Sequence, residues 1–251
     1  MSSRTKGIIN VGGAAIVPVT SHDWSTVYKV NKFGRNETVQ SGAAEGVCDL
    51  TAFVWPTSTA ATTIVSTSGT DAPAAAGALT AQVDGLDADY ALSSQTLTLN
   101  GTTAVAMTVL RRAHRIKVLT AGSGGANVGA INVKSGSTAI ASVLATNNQT
   151  LMASYTVPAN YTAYMIAYYY SINRNVATGQ ADVRLWARPF GEVFQLKHHI
   201  GISTTGSSKG DHVFRVAFPL TEKTDLYLDT DVSANDIDIS GGFDLIVVAN
   251  S

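Results

Sequence analysis

The chain has 251 residues, with 17 Lys and Arg against 18 Asp and Glu, a formal net charge of -1 and a pI near 6.5. Only 14% of residues are charged while 45% are hydrophobic, which supports a buried core and argues against a disordered chain. The charge balance excludes a general polyanion binder, and the single cysteine, Cys48, excludes both a disulfide framework and a cysteine-rich metal cluster.

Taken from the N-terminus, residues 1–20 place Arg4 and Lys6 before GIINVGGAAIV. Gly12, Gly13 and Pro18 interrupt this apolar run, which is too short to span a bilayer. An extended N-terminal arm over 1–40 is expected instead. It carries five basic residues against two acidic ones, and apolar anchors at Ile8, Ile9 and Trp24. With too few hydrophobic groups for a core of its own, it is expected to gain order by lying across another surface.

From there on, helical periodicity is absent, and short runs of β-branched and small residues alternate with Gly, Asn, Asp and Ser. Strands are expected over 62–68, 95–100, 104–110, 116–120, 130–136, 138–144, 151–157, 162–172, 181–189, 213–220, 224–232 and 243–249. Strands this numerous and closely spaced predict an all-β fold, an antiparallel β-sandwich or jelly roll with the extended arm in front. Hairpins are expected at Asn100-Gly101 and Ser135-Gly136. Residues 66–78 and the Gly-rich stretch 121–130 read as loops, the second one mobile. The expected division is an arm (1–40), a small β region (41–112) and a β-sandwich (113–251), with one continuous sandwich as the alternative.

Two strands show clean two-sided patterning. In 181–189, Val183, Leu185 and Ala187 oppose Arg184, Trp186 and Arg188, and in 224–232 Leu226 and Leu228 oppose Asp225, Tyr227 and Asp229. Each has a core face and a solvent or partner face. Strand 162–172 has two apolar faces, with Tyr164, Ile166, Tyr168 and Tyr170 on one and Met165, Ala167 and Tyr169 on the other. Such a strand is expected to be central, or to be buried between subunits.

No catalytic constellation emerges. Asp229, Asp231, Asn235, Asp236 and Asp238 crowd oxygen ligands as calcium prefers, but their spacing is not that of an EF-hand, and a solvated hairpin tip explains them. His198 and His199 point to opposite faces of a strand, and His212 could join one of them, which leaves fewer ligands than a zinc site needs. Cys48 has no base beside it. There is no GxSxG elbow and no phosphate loop. The run 111–117, RRAHRIK, is too small a basic patch to predict nucleic-acid binding. Neither a metal nor a cofactor is expected, and no enzyme activity, nucleic-acid partner or membrane partner.

The phrases VNKFGRNETVQSG (30–42), FVWPTSTAATTIVSTS (53–68), LTAGSGGANVGAINV (119–133), QTLMASYTVPANYTAY (149–164) and RPFGEVFQLKH (188–198) resemble virion structural proteins of tailed bacteriophages. That resemblance implies an all-β, commonly trimeric, non-enzymatic component of the virion. It would be a capsid decoration protein or another particle-exterior accessory, packing against sister subunits and against major capsid or tail proteins. Alternatives are a tail or fibre component, or a receptor- or glycan-binding module with Tyr161, Tyr164, Trp186 and a 201–212 loop as its platform. A polysaccharide-degrading tail enzyme is a weaker third. The candidate interface residues are Ile8, Ile9, Trp24, Lys32, Phe33, Arg35, Tyr164, Tyr168 and Tyr170.

Overall fold

The computed structural model describes residues 6–11, 15–20, 27–50, 52–57, 61–174, 179–204 and 208–250, with the backbone alone for 6–11, 15–20 and 174. Among these residues there is no helix, and every strand pair whose register is defined is antiparallel. The strands are β1 (Lys6–Val11), β2 (Ala15–Thr20), β3 (Val27–Val39), β4 (Glu45–Gly46), β5 (Ala61–Ser66), β6 (Ala78–Leu86), β7 (Leu92–Thr98), β8 (Val105–Leu110) and β9 (Arg112–Ala121). They continue as β10 (Ile131–Ser135), β11 (Thr138–Val143), β12 (Ser154–Thr156), β13 (Tyr161–Arg174), β14 (Gln180–Arg188), β15 (Gln195–Ser203), β16 (Lys209–Leu220), β17 (Asp225–Val232) and β18 (Ile237–Ala249).

The chain forms two compact units. Unit 1 comprises 1–33, 37–44 and 155–251, and unit 2 comprises 34–36 and 45–154. The expected boundary at 112–113 therefore falls inside unit 2, where β9 pairs with β6 over most of its length. The arm differs as well. Lys6–Val11 pairs with Ala15–Thr20 as a hairpin, and β3 is an edge strand of a four-stranded sheet, so no single extended arm reaches residue 40. The sequence signal for β3 is weak because VYKVNKFGRNETV mixes charged groups into both faces.

In unit 2 a sheet ordered β11-β10-β5-β8 and a sheet ordered β7-β6-β9 contribute to one hydrophobic core. Ile64, Leu110, Ile131 and Val133 come from the first sheet, and Ala81, Val83 and Ile116 from the second. Each buried aliphatic side chain of this size stabilises the fold by about 1.5–3 kcal/mol. Ser135-Gly136 makes the expected hairpin, with Ser135 opposite Thr138 and Gly136 at φ 60°. Asn100-Gly101 does not: β7 and β8 belong to different sheets. They are joined by Gln95, whose Nε2 donates to the Thr108 carbonyl (2.9 Å) while its Oε1 accepts from the Thr108 N–H (2.8 Å). A side-chain amide thus takes the place of a ladder rung between two edges.

Both expected loops are built structures. Asp71, fully buried, accepts from Ser66 Oγ (2.5 Å) and from the N–H groups of Ala78, Val128 and Gly129 (2.8, 2.9 and 2.9 Å). It pins 66–78 to 121–130. Gly122 is required by close approach, since a Cβ there would collide with the Ala75 carbonyl. Burial opposes ionisation of Asp71, but its four hydrogen bonds together outweigh it and hold the carboxyl below its ordinary range. The stability it supplies is full above about pH 4 and is lost as pH falls through the lowered folded value. Asp71→Ala leaves three N–H groups unpaired, two of them buried. It is expected to destabilise the protein by about 3–5 kcal/mol at pH 7 in urea unfolding, and the gap to the wild type should shrink below about pH 4.

Candidate functional site

Unit 1 holds a sheet ordered β12-β17-β14-β15 and a sheet ordered β16-β13-β18-β3. In the first, the alternation expected from the sequence is realised in register: Arg184 lies opposite Asp229, Trp186 opposite Tyr227, and Arg188 opposite Asp225. Arg184 Nε donates to Asp229 Oδ1 (2.8 Å) and Nη2 to Oδ2 (3.1 Å), and Trp186 Nε1 donates to Oδ1 (3.0 Å). Arg188 Nη2 and Thr156 Oγ1 both donate to Asp225, at 2.6 Å. Trp186 and Tyr227 are nearly parallel, at 12°. Arg184 lies over the Trp186 ring and Arg188 over Phe194. Burial, and then Asp229, pushes the Tyr227 hydroxyl up to about 12, so it stays protonated at neutral pH. This is a ladder in which cation, ring and carboxylate satisfy one another.

The acidic stretch is dispersed by the same pairing. Asp225 and Asp229 are held by arginines, Asp236 accepts from Gln40 and Asp238 from Asn173, while Asn235 accepts from Ser41. Among the described residues no group of three or more His, Cys, Asp or Glu is placed to hold a metal ion. Cys48 is buried, and burial pushes its thiol up to about 12, which removes the thiolate that a nucleophile needs. In the basic run, Arg112 is buried with its guanidinium on the Pro56 carbonyl and beside Trp55. Arg111 donates to the Ala88 and Thr57 carbonyls, and Arg115 to Gln149.

The tyrosine strand departs from simple alternation. Met165 faces Leu245 and Ala167 faces Asp244, which leaves Ile166 as an extra residue against β18. Side chains after this bulge change face. Tyr168, opposite Phe243, and Tyr170 therefore join Ala163 and Met165 in the core, and both are buried. Tyr164 is left on the other face with Ile166, Ile246 and Val248. The three tyrosines do not share a face. Of the remaining interface candidates, Lys32 and Arg35 are half-buried and Phe33 is exposed, all on β3. Ile8 and Ile9 lie in β1 opposite Pro18 and Val17, their side chains outside the described residues, as is Trp24.

Of the strands missed in the sequence, β6 and β15 each carry a register shift or weak apolar marks, Ala81 and Val83 in β6 and His198 in β15. β15 brings together what the sequence left separate. His198 pairs with Leu185 on the core side, whereas His199 pairs with Arg184 on the ladder side. The His198 ring stacks on His212 of β16 (centroids 4.1 Å, 29°), and both pack against Tyr168 (5.5 and 6.0 Å) and Phe214 (6.3 and 4.7 Å). Tyr168 Oη lies 2.5 Å from His198 Nδ1. Burial, and then Tyr170, raises the Tyr168 hydroxyl. It therefore remains a donor, and the neutral Nε2–H tautomer of His198 is the matching acceptor. Burial, then His212 and His199, holds the His198 imidazole below its usual range. Stacked rings direct their in-plane lone pairs away from any common point, so this pair is not arranged to chelate. Two charges about 4 Å apart would repel by about 4 kcal/mol at an effective dielectric near 20.

The expected 201–212 loop is strand at both ends, because β15 runs to Ser203 and β16 starts at Lys209. Around this edge lie apolar side chains in solvent. Pro189-Phe190-Gly191-Glu192 makes a tight turn with Gly191 at φ 81°, which exposes 61% of Phe190 and leads into Val193, 74% exposed. Leu196 and Val213 are also exposed, and Val216 is 82% exposed.

The chain matches no family model, no curated protein and no solved structure.

The ladder carries its own test. Asp229→Ala strands the Arg184 guanidinium and the Trp186 N–H together, with an expected loss of about 2–4 kcal/mol in chemical unfolding. Adding Arg184→Met should return at least about 1 kcal/mol of it in a double-mutant cycle.

Proposed function

We propose that the protein is a non-enzymatic structural component of a bacteriophage virion, a capsid decoration or other particle-exterior accessory. In this reading each unit is a two-sheet β-sandwich, and the chain acts by packing against sister subunits, as a homotrimer, and against major capsid or tail proteins. The observation that carries this reading is the exposed apolar series on one stretch of chain, Phe190, Val193, Leu196, Val213 and Val216. Scattered apolar exposure is ordinary, but a concentration of large apolar groups at a hairpin tip and two edge strands marks an interaction surface. The low charge density and the phage-like phrases between residues 30 and 198 support the same reading.

A glycan platform centred on Trp186 has less to support it. The indole N–H is engaged by Asp229 and Arg184 lies over the ring, so binding a sugar there would require the ladder to give way.

The test is the oligomeric state. Sedimentation of the intact protein should give a trimer, and the variant carrying Val213→Asp and Val216→Asp should sediment as a monomer with an unchanged far-ultraviolet spectrum. A wild-type protein that stays monomeric at high concentration, or a variant that trimerises as before, would refute the packing role of this edge.

A further inference from the structure

We infer that the β15–β16 edge of unit 1 is a proton-operated latch, in which His198 and His212 stacked on Tyr168 and Phe214 hold two sheets together when neutral and release that edge when protonated. This goes beyond the proposed function and does not depend on it.

β15 ends one sheet and β16 ends the other, and no backbone ladder joins them. The described contacts across this edge are those of side chains, with the imidazole stack at their centre. Both imidazoles are only half-buried, so protons reach them without prior unfolding. Protonation acts twice. It converts His198 Nδ1 from an acceptor of the Tyr168 hydroxyl into a donor, which removes the acceptor from a buried O–H. It also places like charges on stacked rings.

The groups around the pair do not neutralise such charges. β13 contributes Tyr168 and Tyr170, which are uncharged, and β14 contributes Leu185 opposite His198. β15 itself adds Lys197 and His199, neither of them an anion. β16 adds Lys209, Arg215 and Asp211. Asp211 pairs with Tyr169 while His212 pairs with Tyr168, and Asp182 of β14 lies an odd number of residues from Leu185, opposite Gly201, so both carboxylates on these strands point to the opposite face. The other edge of unit 1 is closed by Tyr28 and Tyr155, hydroxyl to hydroxyl at 3.1 Å, and burial raises both of these hydroxyls further. That pair does not titrate in acid. Opening is therefore confined to one side, and it sets in as pH falls below about 6.5, the ordinary histidine value.

Hydrogen exchange on the intact protein at pH 7.5 and pH 5.0, corrected for intrinsic rates, tests the latch. Peptides covering 195–203 and 209–220 should exchange on the order of tenfold faster at pH 5.0, while those covering 225–232 keep their protection. His212→Phe preserves the ring stack while removing the like-charge repulsion, and should reduce the step. An unchanged wild type, a loss of protection shared equally by 225–232, or a His212→Phe variant with the same pH response would each overturn it. Should that variant not fold, the wild-type contrast between the two edge strands and β17 still decides.

Discussion

A single extra residue in β13 governs how unit 1 is assembled. Strand side chains alternate with a period of two, and Ile166, unmatched on β18, shifts that alternation by one from there on. Without the shift, Tyr168 and Tyr170 would stand on the face of Tyr164 and Ile246. With it, they line the core beside Phe243 and Met165, and Tyr168 becomes the wall against which His198, His212 and Phe214 pack. Tyr164 stays on the other face, packed with Val248 and Val27 against the buried Ile166, Ala217 and Ile246 as a small separate cluster. The bulge thus divides the tyrosines of one strand between two faces, Tyr168 and Tyr170 on the core side with Ala163 and Met165, and Tyr164 on the other.

Closure by side chains is the companion feature. Sheets with open edges invite pairing with other chains. Here edges within each unit meet through polar or aromatic side chains: Gln95 on the Thr108 backbone in unit 2, and in unit 1 Tyr28 on Tyr155 and the histidine stack on Tyr168. These joints differ in what disturbs them. An amide and a tyrosine pair are indifferent to mild acid, whereas two imidazoles are not. The fold therefore has one edge that responds to proton concentration, and its strand β16 also exposes Val213 and Val216.

Much of this was legible in the sequence where a residue's role depends on its immediate neighbours. The faces of β14 and β17 could be read from alternation, and the structure sets Arg184, Trp186 and Arg188 directly opposite Asp229, Tyr227 and Asp225. The all-β class followed from the density of short β-branched runs. Three features were not legible. The bulge leaves no mark, because Ile166 sits in an unbroken apolar run. Asp71 is one acid in a stretch of Ala, Ser and Gly, and its partners at Val128 and Gly129 belong to another loop. β3 and β15 mix charged and apolar groups, so their membership in sheets is decided by their neighbours in space. The stacking of His198 on His212 follows from that membership, which is why the sequence offered the two residues only as a loose pairing.

The placement of the tyrosines is the claim on which the rest stands, and it can be measured directly. With 3-fluorotyrosine at all nine tyrosines and single Tyr→Phe variants for assignment, fluorine relaxation is recorded with a soluble paramagnetic agent. The bulge at Ile166 predicts that the Tyr168 and Tyr170 signals are shielded from the agent and that the Tyr164 signal is broadened. Equal broadening of Tyr164, Tyr168 and Tyr170 would place all three on one face and contradict it.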